Sequence, residues 1–171
     1  MLFLGRLHVK KGVEMLIDAF RAVRPPMRLV VAGPPDTAAY GERLRRRAEG
    51  LPVDFVGMLR GEEKWGALAA AEVFALPSHQ ENFGVAVAEA LAAGTPVLVS
   101  ERVNIWREIV EAGAGWAEPD DAAGTRRLVE RWVAEGNAGM RERAAACFAA
   151  RFDIASTARR FAALLAEDGA G

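Results

Sequence analysis

Cysteine, histidine and surplus charge are what this chain has least of. One residue in 171 is cysteine, Cys147, which excludes an internal disulfide and a thiolate metal cluster. Two histidines, His8 and His79, do not make a metal site. Lysine and arginine number 22 against 23 aspartates and glutamates, for a formal net charge of −1. A balance so close to zero argues against nucleic acid as the partner. The one basic cluster, Arg43 to Arg47, lies between Glu42 and Glu49 and reads as a solvated helix face. No apolar run approaches membrane-spanning length, and the N-terminus lacks the basic start and cleavage site of a signal peptide. These absences predict a soluble, cytoplasmic protein. Neither G-x-x-x-x-G-K-[ST] nor G-x-G-x-x-G occurs, which removes the ordinary P-loop and dinucleotide fingerprints.

What is present is an alternation of short apolar runs with helical periodicities. Apolar runs at 2–4, 28–33, 53–56, 73–76, 96–99 and 115–117 read as six strands. Between the first two, Val13, Leu16, Ile17 and Phe20 recur at helical spacing until Pro25-Pro26 stops them. Further helices are expected from a cap at Asp36 or Thr37 to about 49, at 62–71 and at 103–112. Three more follow at about 121–136, 139–150 and 154–167, the first capped by Asp120-Asp121. Hairpin signals are missing. The pattern predicts an α/β fold, a Rossmann-like parallel sheet with helices on both faces. The length suits one domain, 1–171. The first strand begins at Leu2 with no polar lead-in, which reads as a piece of a longer protein.

The chain is organised around Ser78-His79-Gln80-Glu81-Asn82-Phe83-Gly84 and the small, apolar helix behind it, which ends at Gly94 before Pro96. Almost every position of that helix is apolar, so it is expected to be covered on most sides. Glu89 is the exception, and a carboxylate there needs a partner. A ligand with hydroxyl groups fits that need; an internal salt bridge to an arginine such as Arg107 is the other reading. Gly84 opens the helix and leaves its amide donors approachable by negative charge. Glu81 stands just before them. A carboxylate, a run of free amides and a second carboxylate two turns on suit a nucleotide-sugar, which has an anionic middle and a hydroxylated group at each end. In parallel sheets ligands bind beyond the carboxyl ends of the strands. Residues 5–11, 57–64 and 77–84 all fall there.

Glu81 and Glu89, set in E-N-F-G-x-x-x-x-E-A-L-A-A-G-x-P-V, resemble the E-x7-E segment of the retaining glycosyltransferases with the GT-B fold, more narrowly the group 1 family. The resemblance implies that this chain matches the C-terminal, donor-binding half of such an enzyme. It implies that Gly5, Arg6 and Lys11 form the loop whose two cations grip the donor's diphosphate and stabilise it as it departs. Glu81 matches the residue that contacts hydroxyls of the transferred sugar, with amides at Asn82, Phe83, Gly84 and Val85 touching sugar and phosphates. Glu89 matches the glutamate that binds the ribose. The stretch through Leu59 matches the place where main chain holds the base, and Lys64 a position that reaches the nucleotide. Phe83 reads as a packing residue, Lys10 as solvated, and His79 as shaping its loop. No D-x-D occurs, so the metal-dependent donor site of the other common glycosyltransferase architecture is not expected, nor any cofactor or metal.

The expected partner is therefore a UDP-, GDP- or ADP-sugar, with acceptor contacts supplied by an N-terminal domain of the longer protein. That protein's association with a membrane is left open. The apolar face of the last helix, 154–165, is expected to meet the other domain. Two rivals use the same architecture or none of its chemistry: half of a nucleotide-sugar epimerase or sugar phosphorylase, and a Rossmann-like module that binds nucleotide or protein without catalysis.

Overall fold

The structure, a computed structural model, describes residues 1–153. The expected helix at 154–167 lies outside the described residues. Six strands, β1 (Leu2–Leu4), β2 (Leu29–Ala32), β3 (Val53–Gly57), β4 (Phe74–Leu76), β5 (Val97–Ser100) and β6 (Gly115–Glu118), form one sheet in the order β3-β2-β1-β4-β5-β6. Every pairing is parallel. The fold is α/β and Rossmann-like, as the alternation predicts.

Among the described residues the helices are α1 (Val13–Val23), α2 (Ala38–Arg47), α3 (Gly61–Ala70), α4 (Val85–Ala92), α5 (Trp106–Glu111), α6 (Ala122–Glu135) and α7 (Met140–Arg151), with a single 3-10 turn at Val9–Lys11. They pack as two groups, α1 with α2 and α6, and α4 with α3 and α7, the last also touching α5. In α1 the apolar stripe Val13, Leu16, Ile17 and Phe20 is fully buried, because i, i+3, i+4 and i+7 share one face. Thr37, not Asp36, caps α2, its hydroxyl accepting from Tyr40 N at 3.1 Å. Asp121 caps α6 by accepting from Gly124 N at 2.6 Å. Helix α5 is shorter than expected because 101–105 are spent on a turn that ties the β5 loop to Glu81 in the loop after β4.

Burial follows position in the sheet. Strands β4 and β5 are wholly buried, whereas β3, at the edge, is half-exposed throughout. The arginines of α2 are less free than expected: Arg43 pairs with Glu14 and Arg47 with Asp18, both on α1, and Arg45 pairs with Glu42. No helix among the described residues is long and apolar enough to cross a membrane.

Candidate functional site

Strand β1 lies beside β4 although β2 and β3 come between them in the chain. The sheet therefore grows outward from β1 on one side and from β4 on the other. Loops leaving these two strands diverge, and the crevice between them is where α/β sheets place ligands.

Here the crevice is crossed by close contact. Gly12 has φ 72°, and a Cβ on it would lie 2.1 Å from the carbonyl oxygen of Pro77. Only glycine permits that approach. The fully buried Ser78 Oγ lies 2.9 Å from the Lys10 carbonyl and 3.0 Å from that of Gln80, one hydroxyl proton serving two acceptors. His79 N also donates to Lys10 O, at 2.7 Å. From below, Ser100 Oγ donates to the Ser78 carbonyl. The β1 and β4 loops are thus stitched together at 10–12 and 77–80.

That stitching delivers Lys11 to Glu81. The Lys11 ammonium donates to the Glu81 carboxylate, and both side chains are about three-quarters buried. Glu81 is itself held by its backbone, its N donating to Arg102 O at 3.0 Å and its carbonyl accepting from Asn104 N at 3.1 Å. Gly84 caps α4 with φ 77° and makes no side-chain cap hydrogen bond, and the first turn contains no acidic residue. The helix is less covered than expected: Val87, Ala88, Ala90 and Leu91 are buried, but Val85 is 63% exposed. Its first turn follows the loop that leaves the carboxyl end of the central strand β4.

Glu89, on α4, is paired as well. Lys64 Nζ donates to Glu89 Oε1 at 2.6 Å. The arginine suggested for Glu89 is elsewhere, since the Arg107 guanidinium stacks 4.5 Å from the Trp106 ring. Lys64 takes the role because α3 packs on α4 and carries it there in its first turn.

The remaining candidates are placed less uniformly. Arg6 is exposed and turns to Asp36 in the β2 loop, 3.5 Å away, rather than to Lys11. Gly5 ends β1, its N donating to Ala32 O. Leu59 is half-buried against the core, and its neighbour Met58 is exposed. Phe83 packs edge-on against Phe152, ring centroids 6.0 Å apart, while remaining 45% exposed. Asn82 is exposed. Lys10 Nζ is exposed and reaches Gln80 Oε1 at 3.5 Å. His79 Nδ1 lies 3.1 Å from Asp120, which also accepts from Arg102 at 3.1 Å. The His79 hydrogen bond, and after it that of Arg102, hold the Asp120 carboxyl below the usual carboxylate value.

Ser100, the bonds made by Ser78 and the close contact at Gly12 escaped the sequence reading. A serine directly after a strand-ending proline was the available signal; what it bonds to was not.

A doubly wound α/β domain with paired cations and carboxylates at its switch point is the class that fold and site define. The profile of the glycosyl transferases of group 1 matches residues 1–135, and the chain belongs to that family. It is 35% identical over 170 residues to the GDP-mannose-dependent alpha-(1-6)-phosphatidylinositol dimannoside mannosyltransferase of Mycobacterium tuberculosis, covering 97% of this chain and 42% of that protein. It is 32% identical over 151 residues to the glycogen synthase of the same species, covering 85% and 36%. The chain thus spans about two-fifths of the length of these curated relatives. Among solved structures, Anabaena HepE in complex with UDP and glucose superposes with TM-score 0.81 at 21% identity, covering 97% of this chain and 47% of that one. The C-terminal domain of the group 1 protein LpcC from Francisella tularensis gives TM-score 0.72 at 16% identity, covering 90% and 86%. These likenesses are in fold, that of the GT-B glycosyltransferases.

Proposed function

We propose that this chain is the donor-binding half of a retaining hexosyltransferase, holding a nucleoside-diphosphate sugar across the switch point between β1 and β4. The observation that carries the reading is the meeting of Lys11 and Glu81 beside the start of α4 that lacks a side-chain cap. Cleaving a sugar–phosphate bond leaves negative charge on the diphosphate. Lys11, the helix start and a reoriented Arg6 oppose that charge, so the reading assigns leaving-group stabilisation to them and to no metal. Glu81 then orients the sugar, and Glu89 the ribose. Acceptor contacts belong to a preceding domain of the longer protein, a reading supported by the two-fifths coverage of the relatives.

The two charged pairs have a consequence for binding. Lys11 and Glu81 neutralise each other, so an arriving diphosphate must draw the ammonium away, and the carboxylate is then free for sugar hydroxyls. Lys11→Ala should weaken UDP or GDP binding by about 1.5–3 kcal/mol, the size of a charged hydrogen bond. Glu81→Gln should do the opposite to the free diphosphate, leaving it as tight or tighter, while weakening the sugar conjugate. Calorimetric titration of UDP, GDP and ADP and of their hexose conjugates measures both. Unchanged affinity in Lys11→Ala, or equal losses for diphosphate and conjugate in Glu81→Gln, would sink the assignment.

A further inference from the structure

Lys11 reaches Glu81 from the last position of the short turn Val9–Lys11, and His8 stands at the head of that turn. His8 is extended, with φ −133° and ψ 150°, and accepts twice from the residues that follow. Its carbonyl takes the Lys11 N–H at 2.9 Å, and its ring Nδ1 takes the Lys10 N–H at 3.1 Å. A turn this short leaves its first amides without partners of its own, so the ring serves as its cap. The other side of the segment is held by the β4 loop, since the Lys10 carbonyl accepts from Ser78 Oγ and His79 N. The peptide entering Lys11 is therefore fixed at its oxygen by one loop and at its nitrogen by His8.

An imidazole cap differs from a serine or asparagine cap in that it takes up a proton near neutrality. To accept from Lys10 N, Nδ1 must be bare, which puts the proton of the neutral ring on Nε2. Nε2 is the nitrogen that faces Asp36, 4.0 Å away. A second proton has only Nδ1 to go to, where it would meet the Lys10 N–H, donor against donor. The ring would then have to leave the cap.

The charges around the ring are mixed. Asp36, in the β2 loop, favours a charged ring but is shared with Arg6 at 3.5 Å. On the turn itself stand Lys10 and Lys11, the latter paired with Glu81. From α2, Tyr40, Arg43 and Arg46 line the same depression as His8. Arg43 is paired with Glu14 of α1 at 3.0 Å. Burial pushes the Tyr40 hydroxyl up to about 12, so it stays neutral wherever histidine titrates.

We propose that His8 is a positioning residue for the donor site: its neutral ring caps the turn that carries Lys11, and protonation releases the cap and loosens the hold on the diphosphate. The effect on binding rests on the reading of Lys11 as a diphosphate contact. The cap itself does not.

The test has a part without ligand and a part with it. In the isotope-labelled chain, the ring nitrogen shifts of His8 near neutrality are expected to place the proton on Nε2. The Lys10 amide is expected to be protected from solvent exchange, to lose that protection in His8→Ala and to keep it in His8→Asn, whose side-chain oxygen can cap in place of Nδ1. A proton on Nδ1, or equal Lys10 exchange in the unaltered chain and His8→Ala, would overturn the cap. For binding, calorimetry with UDP-glucose, GDP-mannose and ADP-glucose uses diesters whose charge is constant between about pH 5 and 8, where histidine titrates. Near neutrality His8→Ala should hold the bound conjugate about fivefold more weakly, the worth of one neutral hydrogen bond, and His8→Asn should restore it. Toward the acid end the unaltered chain should lose affinity that His8→Asn keeps. His79 titrates in both, so the difference between their profiles belongs to His8. Full affinity in His8→Ala, no rescue in His8→Asn, or parallel pH profiles for the unaltered chain and His8→Asn would each overturn the positioning role. Lys11→Ala, run alongside, keeps the two readings apart. Unchanged affinity there removes the donor reading and with it the part of His8 in binding, whereas a loss there with none in His8→Ala removes this inference alone.

Discussion

Two lysine–glutamate pairs stand at the same edge of the sheet, and the chain supports them by different means. Lys11 meets Glu81 where two loops cross in contact, with glycine at 12, a buried serine at 78 and several hydrogen bonds to the Lys10 carbonyl and its surroundings. Lys64 meets Glu89 from the first turn of α3, reached by the loop after the edge strand β3, where a Cβ placed on Gly57 or Gly61 would meet nothing within 4 Å and Met58 is 49% exposed. The first pair is held by packing that tolerates little change. The second rests on a helix whose one buried residue is Leu68 and on a loop whose glycines have open space around them. On the proposed reading, the pair at the tight loop crossing serves the diphosphate, which every nucleotide donor shares, and the equally buried pair beside the uncrowded β3 loop serves the nucleoside end, where donors differ.

The largest test of this contrast is a methyl group. Gly12→Ala should cost about 3 kcal/mol or more, because it sets a Cβ against the Pro77 carbonyl and strains a left-handed backbone. Urea unfolding measures it, and nucleoside-diphosphate binding should fall with it. Ser78→Ala comes next, at about 1–2 kcal/mol, since the Gln80 carbonyl loses the hydroxyl and Lys10 O keeps only His79 N. Gly57→Ala should cost only about 1 kcal/mol, for the left-handed φ of 75° without a clash. If unfolding showed equal losses at 12 and 57, the crossing would be no tighter than the open loop, and the comparison would break.

The smallest effect concerns pH. The Asp120 carboxyl sits below its usual value of 3.8 through His79 and then Arg102. Between its folded value and 3.8 the unfolded chain binds more protons than the folded one, so this contribution is complete above that window and fades as pH falls through it. Asp120→Asn should flatten the acid limb of a stability profile, matching the unaltered chain below this window and lying slightly below it near neutrality, where the carboxylate's contribution is complete. An acid limb identical in the variant would show that the β4–β6 tie carries no titrating contact.

Much of this architecture was legible in the order of residues. Apolar periodicity marked each strand and helix of the described region, since a strand or helix is built from neighbours in sequence. Thr37 and Asp121 were readable as caps because a cap acts within three residues of itself. Arg107 was a reasonable partner for Glu89 by charge, but charge carries no address: Lys64 reaches it only because α3 lies against α4. Arg6 likewise fitted the cations of a diphosphate loop, but its pairing with Asp36 was not readable.

By itself the sequence determined a parallel α/β sheet, the three loops at its carboxyl edge and the acid and base residues they carry. Tertiary structure alone decided which charges meet and that Gly12 lies against Pro77. The reason is physical: local hydrogen bonding and side-chain period are written over a few residues, whereas a contact between positions 11 and 81 exists only after β1 has come to rest beside β4.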